Sequence, residues 1–329
     1  MDENTIGEIA KKLNISRSVV GRVLRHCGGV DAKTRQMILS ASTSFVRDSY
    51  GECAVYLISP DVPLYFWRPL RRGIEDKLRA LEIPFKTNIC TRVKDESVIL
   101  RYLDEAEKLG AKAIILSARM TPAIQARLEA LTSQHLIILL SEYHEIVNAF
   151  YVGSDAYRDG YAMGEYFLSH CADRPLLLLT QELSDVEQRI DGFCHALRSV
   201  DPSLAERAVR IKLDNSIFSD LKLLPSKLAP LLMEAAKPYE QLCIYAPMGI
   251  PQFPLAIIKA KLTERAVCLC QDCCVSQSDG KPAVRIVTCN QDGSAQSETA
   301  ANYAIDFCRA GLYPKQKNTF IASCIEDLA

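Results

Sequence analysis

The strand candidate CAVYLI at 53–58 opens the pattern that most constrains this chain. Further candidates follow at 85–90, 112–117, 136–140, 150–153, 176–180, 208–213, 241–246, 266–270 and 284–288. Between most of them lie stretches with helical spacing, at 68–81, 96–109, 122–132, 157–170, 186–199, 221–236, 252–263 and 294–310. Runs such as LIILL (136–140) and LLLL (176–179) have no polar alternate, so a strand built from them is buried on both faces. Strands of that kind form parallel sheets, whose crossover connections are helices laid on the faces. The pattern predicts a doubly wound α/β body. Its length, roughly 280 residues, exceeds what one such core organises, so two lobes are expected. Ligands bind such sheets at the carboxyl ends of the strands.

The first fifty residues follow a different rule. TIGEIAKKL (5–13) begins with Thr5 and carries Glu8 three positions on, which is capping-box spacing. Ile6, Ile9, Ala10 and Leu13 make the apolar stripe of a helix. Asn14-Ile15 forms a turn, and Ser16 caps a second helix that runs to about Leu24. His26-Cys27-Gly28-Gly29 breaks it, and Asp31 caps a third helix over 32–42. Three short helices, the first two joined tightly, describe a helix-turn-helix. In ISRSVVGRVLRH (15–26), Val19, Val20, Val23 and Leu24 form one face. Arg17, Ser18, Gly21 and Arg22 face the other way, and Arg25 and His26 read as solvated surface.

Charge agrees with this division. The whole chain of 329 residues carries a formal charge of only -1. Residues 1–50 hold 8 Lys+Arg against 5 Asp+Glu, a net of +3, which leaves -4 on the rest. A basic head on an acidic body is compatible with a nucleic-acid-binding module. The N-terminus lacks the basic and apolar regions of a signal peptide, and no apolar run reaches the ~18 residues of a membrane span. A cytoplasmic chain is expected, and its 13 cysteines are expected to be reduced. VCLCQDCC (267–274) is the one dense cysteine cluster and contains the C-x-x-C Cys270–Cys273. A metal or redox site there needs further ligands or a helix N-terminus. The segment reads as a buried strand with cysteine as a small hydrophobe.

Catalytic motifs are absent. The chain has no G-x-G-x-x-G after a strand, no Walker A and no G-x-S-x-G elbow. Its five histidines show no ligand spacing. No cofactor and no enzymatic activity are expected.

TIGEIAKKLNISRSVVGRVL followed by VDAKTR (30–35) resembles the DNA-binding headpiece of LacI-type transcriptional regulators, with its V-S-x-x-T-V-S-R-V-L and V-S-x-x-T-R segments. VGSDAYRDGYAMGEYFLSH (152–170) resembles that family's V-x-x-D-N-x-x-G-G-x-x-A-x-x-H-L, and RIDGFCHAL (189–197) its R-x-x-G-F-x-x-A-L. CLCQDC (268–273) and VTCNQD (287–292) stand where the family has V-x-G-F-D-D and T-T-V-x-Q. The resemblance implies an all-α helix-turn-helix headpiece followed by a two-lobed, periplasmic-binding-protein-like (type I) α/β body. Three crossing strands, an effector in the cleft and a homodimer on a double-stranded DNA operator come with it.

The expected boundaries are 1–44 for the headpiece, 45–52 for a linker and 53–329 for the effector domain. Within that domain, lobe 1 takes 53–154 plus 287–313, and lobe 2 takes 155–286 plus 314–329. Arg17, Ser18 and Arg22 become candidates for base edges. Thr5, Ser16, Lys33 and Thr34, at helix starts, become candidates for phosphates, and the same positions serve equally as helix caps. Asp155, Arg189 and Asp272 match family positions that hold a sugar or similar polar ligand; a structural salt bridge is the other reading. Phe66 and Trp67 match an aromatic pair that stacks on such a ring or packs in the core.

The chain departs from the family in four places. Gly21 replaces a serine, YAPMGI (245–250) replaces an Asn-Asp pair, and Cys273 replaces the second Asp of its motif. The segment 41–58 lacks the Y-x-P-N and hinge helix that carry the family's minor-groove leucine. A ligand-responsive regulator, expected to be a repressor, is therefore weighed against a solute-binding sensor with a vestigial headpiece.

Overall fold

The computed structural model describes residues 3–24, 29–50, 53–61, 64–90, 96–218, 220, 222–249, 252–273 and 284–328, with backbone only for 3–5, 43–50, Leu64 and Asn215. In chain order the elements are α1 (Glu3–Leu13), α2 (Arg17–Leu24), α3 (Ala32–Tyr50), β1 (Val55–Pro60), α4 (Leu64–Ala80), β2 (Phe85–Cys90), α5 (Glu96–Lys108), β3 (Ala113–Leu116), α6 (Pro122–Leu131), β4 (Leu136–Leu140) and β5 (Ala149–Gly153). They continue as α7 (Ala156–His170), β6 (Leu176–Thr180), α8 (Ser184–Val200), α9 (Pro202–Glu206), β7 (Val209–Lys212), a 3-10 turn (Asn215–Phe218), α10 (Leu224–Ala236) and β8 (Leu242–Ala246). Last come α11 (Phe253–Lys259), β9 (Ala266–Gln271), β10 (Arg285–Gln291), α12 (Gly293–Ala310), β11 (Asn318–Phe320) and β12 (Ser323–Asp327). The chain divides into two units, Met1–Gly153 with Gly293–Thr319, and Ser154–Asp292 with Phe320–Ala329.

In the first unit, α1 to α3 close on a small core of Ile9, Ala10, Val20, Val23, Ile38 and Ala41. Asn14 takes φ 53° between α1 and α2, and the Ile15 N–H donates to the Ala10 carbonyl at 3.0 Å. Asparagine tolerates the left-handed region at low cost, which makes it a ready helix terminator. Three expectations are corrected here. Helix α1 starts at Glu3, so Thr5 lies inside its first turn and is not the N-cap. Helix α3 runs past residue 42 to Tyr50, so the expected linker is helical through that residue. No Gly or Pro occurs between 33 and 50 to stop it. Gly21 is buried, not outward-facing. Arg25 and His26 lie outside the described residues.

The rest of this unit is a six-stranded sheet in the order β11-β5-β4-β3-β1-β2. Strands β2, β1, β3, β4 and β5 pair in parallel, and β1, β3 and β4 are buried along their whole length. Helices α4 and α12 pack on each other at Gly73, where an added Cβ would come within 2.5 Å of Ser297 Oγ.

The second unit repeats the plan, in the order β12-β10-β9-β8-β6-β7. Only β12 is antiparallel among its described pairings. In both sheets the order reverses once, at β1/β3 and at β6/β8, which creates the crevice where doubly wound sheets take ligands. Every candidate strand corresponds to an observed one. The short edge strands β11 and β12 were not expected: their alternating, half-exposed residues carry no apolar run. Residues 287–292 belong to the second unit, because β10 pairs with β9 and β12. Residues 314–319 belong to the first, where β11 borders β5. Among the described residues no helix is long and apolar enough to cross a membrane.

Candidate functional site

Helix α2 presents Arg17, Ser18 and Arg22 as exposed residues behind which Val20 and Val23 are buried. The eight-residue helix depends on that apolar contact, since an isolated helix so short is unstable in water. The Arg17 guanidinium lies over α1, with its Nη2 3.0 Å from the point where a Cβ on Gly7 would stand. Arg22 extends toward Gly29, whose φ is 85°. Ser16 Oγ accepts from the Val19 N–H at 3.3 Å and so caps α2. Asp31 caps α3, with Oδ1 accepting from the Thr34 N–H at 2.9 Å. That bond holds the Asp31 carboxyl below its ordinary range. Lys33 is exposed and Thr34 half-buried beside it. The Thr5 side chain lies outside the described residues.

The second unit gathers a polar cluster at the carboxyl ends of β6, β8, β9 and β10. Arg189 lies one turn into α8, which follows β6, and is buried among apolar neighbours of that helix. Its Nη1 donates to Asp185 Oδ2 at 2.9 Å and to the Pro247 carbonyl after β8 at 3.4 Å. Its Nε has no partner among the described residues. Burial works against the charge of Arg189, but Asp185, Asp159 and Asp272 outweigh it and hold the guanidinium above its ordinary pKa.

Asp272, with φ 46°, follows β9. Its Oδ1 accepts the Gln291 N–H at 2.8 Å and its Oδ2 the Gln291 side-chain amide at 2.6 Å. Ser154 Oγ donates to Gln291 Oε1 at 2.9 Å. Burial pushes the Asp272 carboxyl up to about 6, against the pull of Gln291 and Arg189. Asp159, in the first turn of α7, accepts from Gln271 Nε2 at 3.3 Å, and burial raises its carboxyl as well. Asp155 is the N-cap of α7, accepting from the Arg158 N–H at 3.1 Å and pairing with the exposed Arg158 side chain at 3.6 Å.

Arg189 and Asp272 thus stand in one electrostatic cluster, and Asp155 borders it through Asp159. Sequence reasoning missed Asp159, Asp185, Gln271 and Gln291. Two of them had a visible signal, because Asp159 is four residues after Asp155 and Asp185 four before Arg189, each on the same helix face.

Phe66 and Trp67 sit on α4 in the first unit, with ring centroids 4.9 Å apart at 82°. Trp67 is 1% exposed and Phe66 half-buried. Ten of the 11 described free cysteines are buried, the exception being Cys324. Among the described residues no group of three or more His, Cys, Asp or Glu side chains is placed to hold a metal ion.

No family model matches the chain. The HTH-type transcriptional regulator DegA of Bacillus subtilis (strain 168) is 24% identical over 219 residues. The match covers 63% of this chain and 64% of DegA, less than two thirds of that protein's length. Among solved structures, the Caulobacter myo-inositol binding protein bound to myo-inositol is 17% identical, covering 84% of this chain and 94% of that one, with a TM-score of 0.67. An ABC transporter solute binding protein from Burkholderia graminis in complex with D-arabinose is 12% identical, covering 84% and 96%, also at 0.67. GanP, a glucose-galactose binding protein from Geobacillus stearothermophilus, is 13% identical, covering 84% and 98%, at 0.67. At these identities the likeness is one of fold, and the two parallel-sheet α/β units have the periplasmic-binding-protein-like fold.

Proposed function

We propose that the chain is a cytoplasmic, ligand-responsive transcriptional regulator of the LacI type, which reads a DNA operator as a homodimer and acts as a repressor. The observation that carries the reading is the exposed set Arg17, Ser18 and Arg22 on a short helix whose opposite face is fixed by Val20 and Val23. A recognition helix offers its N-terminal half to the major groove, and an arginine there pairs with a guanine edge through two hydrogen bonds. Ser16, Lys33 and Thr34 serve the phosphates, with Thr5 as a further contact. The likeness to DegA supports a regulatory role. Helices α10 and α11 pack together and leave the apolar side chains Leu231, Met233, Leu255 and Ile258 exposed, area available for self-association.

The small-molecule ligand is a sugar or similar polyol, taken up at the carboxyl ends of the strands of the second unit by Asp155, Arg189 and Asp272. Phe66 and Trp67, in the first unit, are an aromatic pair of which only Phe66 has exposed surface to offer a ring. A carboxylate accepts from paired hydroxyls and a guanidinium donates in a fixed fork, which suits a polyol. A thermal-shift screen of the full chain against neutral sugars, sugar acids and nucleobases tests this half. A true ligand at 100-fold excess over its Kd stabilises by roughly 2.7 kcal/mol. The shift is expected to vanish in Asp272→Ala, and a shift retained there contradicts the site.

The sensor with a vestigial headpiece remains the second reading. Its supporting observation is α3, which continues to Tyr50 where the family carries a separate hinge helix. It predicts no sequence-selective DNA binding.

A further inference from the structure

Cys270 lies inside β9 and Cys273 beyond its end, in the segment Cys270-Gln271-Asp272-Cys273. Continued extended backbone would send two side chains three positions apart to opposite faces of the sheet. Asp272 instead adopts φ 46°, in the left-handed region, and turns the chain back. As a result the chain folds back onto Thr288, the β10 residue paired with Cys270, and brings the two thiols into each other's surroundings. Both ends of the turn are anchored. The Cys273 N–H donates to Thr288 Oγ1 at 2.9 Å, and the Cys270 thiol donates to the Val287 carbonyl at 3.7 Å. The neighbouring sulfur holds the Cys273 thiol below its ordinary range and, with burial, the Cys270 thiol well above it. Asp272, between the two buried cysteines, is partly exposed.

We propose that Cys270 and Cys273 are an oxidation site, a dithiol that closes to a disulfide and locks the turn that carries Asp272. The oxidant is a peroxide. The Cys273 thiolate attacks one peroxide oxygen, the O–O bond breaks, and the departing hydroxide takes a proton to become water. Cys273 is then a sulfenic acid. The Cys270 sulfur attacks it, the S–O bond breaks, and a second water leaves with the Cys270 proton. Two thiols and one hydrogen peroxide become one disulfide and two waters. Ring closure fixes the backbone on both sides of Asp272 and moves the carboxylate that Gln291 holds.

The second unit contains another pair of neighbouring thiols, Cys171 and Cys243. Cys171 caps α7 and Cys243 lies within β8, so that pair joins two elements. Cys270 and Cys273 lie within one four-residue segment. The effect on ligand binding rests on the reading of Asp272 under "Proposed function", whereas the oxidation itself does not.

The reduced full chain, treated with hydrogen peroxide, alkylated and digested with trypsin, tests the proposal. The expected product has lost about 2 Da, the two hydrogens of the thiols, with the link mapped between Cys270 and Cys273 in peptide 266–285. Dithiothreitol reverses the loss, Cys273→Ser abolishes it, and the Asp272 carboxyl carbon shifts in the NMR spectrum of the oxidised chain. The peptide map of the unmutated chain decides the matter if the variant fails to fold. An unchanged mass, a sulfinic acid at Cys273, a link through any other cysteine, or an unmoved Asp272 resonance overturns the proposal. A chain that oxidises as expected yet takes up no sugar would defeat the functional reading and leave this one standing.

Discussion

Gly160→Ala is expected to lower the unfolding free energy of the protein by about 3 kcal/mol or more. A Cβ at Gly160 of α7 would stand 1.9 Å from the Arg189 carbonyl oxygen of α8 and 2.6 Å from its Cα. One at Gly192 of α8 would stand 2.0 Å from the Tyr157 carbonyl oxygen of α7. The two helices therefore meet backbone to backbone through reciprocal glycines. The obstructing atoms are main chain, so no side-chain rotation relieves the clash, and α8 must move. That movement carries Arg189 away from Asp159 of α7. Gly110→Ala is the control: φ there is 65°, and nothing lies within 4 Å of an added Cβ. It is expected to cost only the backbone penalty, about 1 kcal/mol. Urea unfolding of the two variants separates these effects, and equal losses would contradict the packing account.

Arg189→Met is expected to cost about 3–5 kcal/mol at pH 7.5, because it leaves Asp185, Asp159 and Asp272 facing one another without the cation. The pH dependence carries the sign. The folded pKa of Asp272, about 6, lies above the unfolded value, so its stabilising contribution is present at low pH and lost as pH rises through 6. Removing the guanidinium raises that pKa further and extends the loss. The difference between parent and variant should therefore be largest above pH 7 and shrink below pH 6 as the carboxylates take up protons. A difference independent of pH would show that Arg189 acts through packing alone.

Much of this fold was legible because burial on two faces writes itself as runs without polar alternates. All five residues of β4 (LIILL) are buried, as are those of β8 and all six of β9. The periodicity of α2 likewise placed Val20 and Val23 inward. Gly21 escaped that logic, since it has no side chain to mark which face it occupies. The polar cluster was half legible. Arg189 and Asp272 came from family resemblance, while the contact between Gln271 and Asp159 joins residues 112 positions apart. Only the strand order brings them together, and local spacing carries no record of it. The pairing of Cys270 with Cys273 depends on one positive φ at Asp272, which the C-x-x-C spacing does not specify.

The central claim is that α2 reads DNA. Selection of duplexes from a random-sequence pool by the full chain tests it most directly, with Arg22→Ala run in parallel. The account predicts enrichment of an inverted repeat, with affinity that falls steeply as salt rises through release of phosphate counterions. It also predicts that Arg22→Ala relaxes the preference at one position of each half-site, by roughly 1–3 kcal/mol. No enriched sequence, or an Arg22→Ala chain that selects the same sequence with the same stringency, would contradict it.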